Sequence, residues 1–180
     1  MKKLISAICF TSIAGCVSTQ NSAFIGATPG CKSGQTVVNQ KTVNTRFCIK
    51  KIMFQPSQYL VTVNEQPVFE GTDYTRVSFE KSTHDGIVNG ACDGVIEILD
   101  KDTLKPIKTE RLPSELVSGC NIRTDSTGNS LPFKKDVKCD KIYYKSLSPM
   151  LGLVVSLQEI ARQCSVTLDN YQIFEGEFNF

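Results

Sequence analysis

Ser148-Pro149-Met150-Leu151-Gly152-Leu153-Val154-Val155-Ser156-Leu157-Gln158-Glu159-Ile160-Ala161-Arg162-Gln163-Cys164 is the stretch on which the fold class turns. Ser148 suits an N-cap, and Pro149 suits the first helical position, where no backbone N–H is needed. Apolar residues then recur at Met150, Leu153, Val154, Leu157, Ile160, Ala161 and Cys164, at the spacing that marks one face of a helix. Ser156, Gln158, Glu159, Arg162 and Gln163 fall mostly off that stripe. Val154-Val155 is β-branched and keeps a strand reading open. The long run at a single period nevertheless predicts a helix over about 149–163.

Outward from this stretch the pattern is strand-like. Ser165 to Phe174 forms two short apolar runs around Asp169-Asn170, which predicts a hairpin. Upstream, Arg46 to Phe54 and Tyr59 to Val63 are rich in β-branched and aromatic residues and are split by Gln55-Pro56-Ser57. Asn64-Glu65-Gln66-Pro67 reads as a turn, and Pro67 bars a central strand there. Thr75 to Glu80 alternates polar and apolar, and Ser82 to Gly86 is a turn. Ile87 to Leu99 is a long strand candidate in which Gly90 and Gly94 suggest bulges or close backbone approach. Asp100 to Pro106 and Thr124 to Asn129 read as loops. The expected class is α+β: an antiparallel β-sheet packed against one C-terminal α-helix, linked by disulfides.

The cysteines point to an oxidising compartment. The chain has eight. With Cys9 and Cys16 set aside, Cys31, Cys48, Cys92, Cys120, Cys139 and Cys164 form an even set, as expected of disulfides in an exported domain, with the pairing left open. The only histidine is His84 and no C-x-x-C occurs, so no metal site or cofactor is expected.

The start of the chain gives the reason for export. Lys2 and Lys3 precede a short apolar run from Leu4 to Ala14, about half of what a membrane span needs. Ile13-Ala14-Gly15-Cys16 closes it and resembles the lipobox of bacterial lipoproteins. That resemblance implies cleavage before Cys16 and acylation of its sulfur, with palmitate-type chains as a durable membrane anchor. Val17-Ser18 lacks the aspartate that in this family often retains a lipoprotein at the inner membrane. The outer membrane of a Gram-negative bacterium is therefore expected, with the domain in the periplasm or at the cell surface. The expected division is a signal peptide over 1–15, a lipidated flexible tether over 16–30 and one globular domain over 31–180.

Charge excludes one class of partner. The chain has 20 Lys+Arg and 18 Asp+Glu, and the signal removes Lys2 and Lys3 but no acid, which brings the two counts level. A general affinity for nucleic acid needs a basic excess or stripe, so none is expected. Lys134, Lys135, Lys138, Lys141 and Lys145 form one basic cluster. Its ordinary reading is a solvated edge strand; its functional reading is contact with a ligand or a lipid headgroup. Lys134, Lys135, Lys138, Asp125 and Asn129 are the candidate partner-binding residues.

The second half also resembles the META/HslJ-like domain family of bacterial envelope proteins. Gly119-Cys120-Asn121 is similar to that family's Gly-Cys-Asn motif, with Gly90-Ala91-Cys92-Asp93 as a competing counterpart. Leu131-Pro132-Phe133 is similar to its Leu-x-Phe strand, and Val137-Lys138-Cys139 stands where the family carries a second cysteine. Tyr59-Leu60-Val61 and Asn64 to Val68 resemble its opening strand and turn. The resemblance covers 59–180, implies a compact envelope domain and brings no catalytic residue.

Candidate catalytic patterns are incomplete. His84 lies in Ser82-Thr83-His84-Asp85-Gly86 with no G-x-S-x-G to supply a nucleophile. Ser78-Phe79-Glu80-Lys81 fits S-x-x-K, but S-D-N and K-T-G are missing. Glu175 and Glu177 share a strand face and read as solvated. Asp100-Lys101-Asp102 lacks the rest of a calcium loop. The expectation is a non-enzymatic, lipid-anchored binding or structural module that meets another envelope protein. The alternative is a periplasmic inhibitor or immunity-type protein that blocks a murein hydrolase or toxin, presenting the loop from Thr124 to Asn129.

Overall fold

The computed structural model describes residues 30–51, 55–74, 76–150 and 154–180. The signal, Cys16 and all of the expected tether except Gly30 lie outside them. The fold is mostly antiparallel β with a small helical part. The strands are β1 (Gly30–Val38), β2 (Lys41–Lys50), β3 (Ser57–Val63), β4 (Gln66–Asp73), β5 (Arg76–Thr83), β6 (Gly86–Asp100), β7 (Phe133–Lys134), β8 (Val155–Leu168) and β9 (Tyr171–Asn179). Two helices, α1 (Ser114–Gly119) and α2 (Val137–Leu147), lie between β6 and β8.

One sheet runs β1-β2-β3-β4 and the other β5-β6-β8-β9, with β7 paired to β6. β4 lies beside β5 and β9 beside β1, so the two sheets wrap one core as a flattened barrel. That core includes Phe47, Tyr59, Val61, Val88, Val166, Ile173 and Phe178. Phe47 stacks on Phe174 with centroids 5.6 Å apart, joining β2 to β9. On the opposite seam, Phe69 of β4 stacks on Phe79 of β5 at 4.5 Å. Gly90 lies beneath Phe79: a Cβ there would sit 2.2 Å from the ring. This is the close approach that the glycine in β6 suggested.

Four two-residue turns close one end of the barrel. Asn39-Gln40, Asn64-Glu65 and Asp169-Asn170 each hold positive φ at both positions, as type I′ turns require. His84-Asp85 makes the fourth, between the paired residues Thr83 and Gly86. Gly86, at φ +136°, packs against the Asp169 carboxylate, which accepts the Ile87 N–H at 2.8 Å. Pro67 lies in β4, on the edge of its sheet, where no ladder bond is lost. The opposite end is where β1 begins and β2, β4 and β9 finish.

The C-terminal helix expected over 149–163 is not formed: 155–168 is strand β8, paired with β6 on one side and β9 on the other. The ladder between β6 and β8 shifts register between Val95 and Ile96: Val95 opposes Ala161, Ile96 opposes Glu159, and Ile160 is extra. This bulge reverses the inside–outside alternation, so apolar positions at 157, 160, 161 and 164 imitate a helical period. Ser148-Pro149 does not open a helix. Ser148 is the C-cap of α2, its N–H bonding the Tyr144 carbonyl, and 148–150 is a 3₁₀ turn.

The helix lies earlier, where the lysines had suggested an edge strand. Asp136 caps it, its carboxylate accepting the Cys139 N–H at 2.8 Å. Cys139, Tyr143 and Leu147, spaced by four, are its buried face. They pack with Ile96, Ile98, Leu112, Leu116 and Phe133 in a second core under the far ends of β6 and β8.

Three disulfides form among the described residues: Cys31–Cys48, Cys92–Cys164 and Cys120–Cys139. The first two join residues directly opposite on neighbouring strands. The third ties the end of α1 to the first turn of α2. Among the described residues no helix is long and apolar enough to cross a membrane.

Candidate binding site at the open end of the barrel

Arg162 is 1% exposed and lies on β8 with core-facing Cys164, Val166 and Leu168. A regular strand would send residues three apart to opposite faces; the extra Ile160 brings Glu159 and Arg162 to the same one. Arg162 Nε donates to Glu159 Oε1 at 2.7 Å and Nη2 to Oε2 at 3.1 Å, a bidentate pair. Nη2 also donates to the Tyr74 carbonyl at the link between β4 and β5. The guanidinium lies 5.3 Å from the Tyr59 ring centre and 5.6 Å from that of Phe180. Nη1 is buried and has no hydrogen-bond partner among the described residues, nor has the Tyr59 hydroxyl.

Two neighbours shape the electrostatics. Lys51 Nζ lies 3.6 Å from Glu159 and 4.0 Å from the centre of the Phe180 ring. Phe180 is thus held between the Lys51 ammonium and the Arg162 guanidinium. Burial pushes the Arg162 guanidinium down to about 10, still well above neutral pH, so it keeps its charge. Burial raises the Glu159 carboxyl above its ordinary value, and Lys51 opposes that rise.

Beside this pair lies a groove of about 420 Å³. Lys32, Lys50, Lys51, Ile49, Phe178 and Phe180 line it, with Gly30 and Cys31 at its β1 side and no acidic side chain among the lining residues. Lys32 Nζ stands 5.6 Å from the Phe178 ring centre. The groove therefore offers ammonium groups over aromatic faces, with a buried guanidinium behind Phe180. Among the described residues no group of three or more His, Cys, Asp or Glu is placed to hold a metal ion.

No known protein family matches the chain, and no curated protein and no solved structure does.

The candidate partner-binding residues lie outside this groove. Lys134 pairs with Asp93 at 3.1 Å, which also takes Arg76 at 2.9 Å. Lys135 is buried: its ammonium lies 3.0 Å from Asp140, 3.3 Å from the Tyr144 hydroxyl and within 5 Å of two tyrosine rings. It serves the fold rather than a surface. Lys138 is exposed with Lys141 and Lys145 along one face of α2, a helix face in place of the expected edge strand. Asp125 and Asn129 bond within their own loop. Asp125 Oδ1 accepts from the Thr127 N–H and hydroxyl, both at 2.8 Å, and from the Asn129 N–H at 2.9 Å. The Asn129 and Thr127 bonds hold the Asp125 carboxyl down to about 2. His84 is exposed in a turn at the opposite end of the barrel. Asp100 pairs with Arg111 at 2.6 Å and accepts the Thr103 N–H and hydroxyl, closing a turn.

Arg162, Glu159, Lys51 and Phe180 went unmarked in the sequence because the helical reading placed Arg162 and Glu159 off the apolar stripe. The signal that would have found them is a lone arginine between Ala161 and Cys164 in a β-branched run.

Proposed function

We propose that this chain is a lipid-anchored envelope protein of the outer membrane, a non-enzymatic binding module that takes an anionic group at the open end of its barrel. The Arg162 guanidinium carries the reading. An unpartnered N–H on a buried cation is costly, and buried polar groups in native proteins are nearly always satisfied. A phosphate or carboxylate reaching it past Phe180 would supply the missing acceptor, with Lys51 and Lys32 at the entrance. The Ile13-Ala14-Gly15-Cys16 lipobox supports the anchor, and three disulfides suit an oxidising compartment.

Two measurements test this. Titration with inorganic phosphate is expected to shift the Arg162 Nε–H resonance saturably, with the shift lost in Lys51→Ala; no shift would end the anion-site reading. Cells fed a clickable palmitate analogue are expected to label the chain, and Cys16→Ala to lose the label and leave the membrane fraction; an unlabelled wild type would end the anchor reading. Hydrolytic turnover that survives His84→Ala and Ser78→Ala would count against a non-enzymatic role.

The loop around Asp125 supports the inhibitor alternative. It is exposed and fixed by its own hydrogen bonds, so little ordering remains to be lost on entering an enzyme cleft. Inhibition of a murein hydrolase that disappears when 124–129 is replaced by Gly and Ser would favour this reading.

A further inference from the structure

Gly30 lines the groove and begins β1, so the chain arriving from Cys16 reaches the domain at the groove itself. We propose that this groove is the face with which the domain lies on an anionic phospholipid surface, its lysines taking headgroup phosphates and the exposed Phe180 entering the boundary with the acyl chains. The inference deepens the anion-binding reading and rests on it, but it does not require Cys16 to be acylated.

Three observations carry it. The first is charge complementarity: Lys32 and Lys51 line the groove and no acidic side chain does, while Glu159 is engaged by Arg162 and Lys51. The second is an exposed phenylalanine paired with a cation: Lys51 stands over Phe180, which is 45% exposed. Such a pair suits a membrane interface, where the ring takes the boundary and the ammonium stays among headgroups. The third is reach. The residues between Cys16 and Gly30 span at most about 50 Å when extended, so an anchor at Cys16 holds the groove close to the bilayer. The buried Arg162 guanidinium adds positive potential behind Phe180 that solvent screens poorly.

The test uses the exported chain behind a leader that is cleaved without acylation and with Cys16→Ser, so that no acyl chain contributes. It is sedimented with vesicles of phosphatidylcholine alone and of phosphatidylcholine containing phosphatidylglycerol. Binding is expected only to the anionic vesicles and is expected to fall as salt rises. Each groove lysine removed is expected to weaken partitioning about fivefold, so Lys32→Ala with Lys51→Ala loses about 25-fold. Lys138→Ala with Lys141→Ala, on exposed α2, is expected to lose less than about fivefold. Lys32→Ala with Lys50→Ala reads the same surface should loss of Lys51 disturb Glu159, and far-UV circular dichroism confirms that each variant is folded. Equal binding to both vesicles, or a greater loss from the α2 pair than from the groove pair, overturns the proposal. A phosphate-induced shift at Arg162 with no vesicle binding overturns membrane docking and leaves the anion site standing; neither signal overturns both.

Discussion

Leucine in place of Glu159 is expected to destabilise the protein by about 4 kcal/mol, although the side chain it removes is partly solvated. The cost arises on the partner. Glu159 is 15% exposed at its side chain and Arg162 only 1%. Without Glu159 the guanidinium loses the bonds at 2.7 and 3.1 Å and keeps the Tyr74 carbonyl alone, with Nη1 already unpartnered. An uncompensated buried charge costs about 3–5 kcal/mol, and the near-complete burial of Arg162 places this case in the upper half of that range. The reverse change, Arg162→Met, is expected to cost about 2 kcal/mol, because Glu159 still has Lys51 at 3.6 Å and some access to water. The double variant, an apolar pair, is expected to return to within about 1–2 kcal/mol of the parent. Urea unfolding with the disulfides intact reads these differences. At a slope of about 2 kcal/mol/M, Glu159→Leu moves the midpoint by about 2 M. A cost below about 1 kcal/mol for Glu159→Leu, or a double variant as unstable as the two singles summed, would refute the buried-pair argument.

Removing the disulfides singly, as Cys→Ala pairs, is expected to cost most at Cys92–Cys164, which closes 72 residues, about 4 kcal/mol against about 3 for Cys120–Cys139, which closes 19. Calorimetry of the oxidised variants checks the order, and the reverse order would show that loop closure does not dominate. Gly90→Ala is expected to cost about 1–3 kcal/mol because its Cβ meets the Phe79 ring at 2.2 Å. Phe79→Leu in the same chain is expected to recover part of that cost, as urea midpoints show. The Thr127 and Asn129 amide resonances are expected to stay fixed above the ordinary carboxylate range and to move as pH falls through about 2, since the Asp125 carboxylate that accepts both bonds holds its charge down to there. Movement already complete at pH 4 would show that the loop is not held by this carboxylate.

Local signals in the chain were read correctly where neighbours in sequence decide the conformation. Asn64-Glu65 and Asp169-Asn170 are hairpin turns because Asn and Asp tolerate positive φ. Pro67 lies at a sheet edge, Gly90 lies under a ring, and an even set of cysteines forms disulfides. The reading failed where a distant segment decides. Residues 155–168 carry a period near 3.6 only because one bulged residue reverses the alternation, and nothing within the stretch marks Ile160 as extra; its partners on β6 do. α2 was masked by its lysines, which occupy the exposed face of a short helix whose buried face is only Cys139, Tyr143 and Leu147.

The candidate site shows the same division. Composition and residue order were enough to anticipate disulfide formation, turn positions and an antiparallel sheet, since each depends on which residue types occur and on what lies within a few positions. Which cysteines pair, which lysine is buried, and that Arg162 meets Glu159, Tyr59, Tyr74 and Phe180 at one end of the barrel were decided by tertiary structure alone. These contacts join strands far apart in the chain, and the free energy of burying a charge depends on everything that surrounds it once the strands have closed.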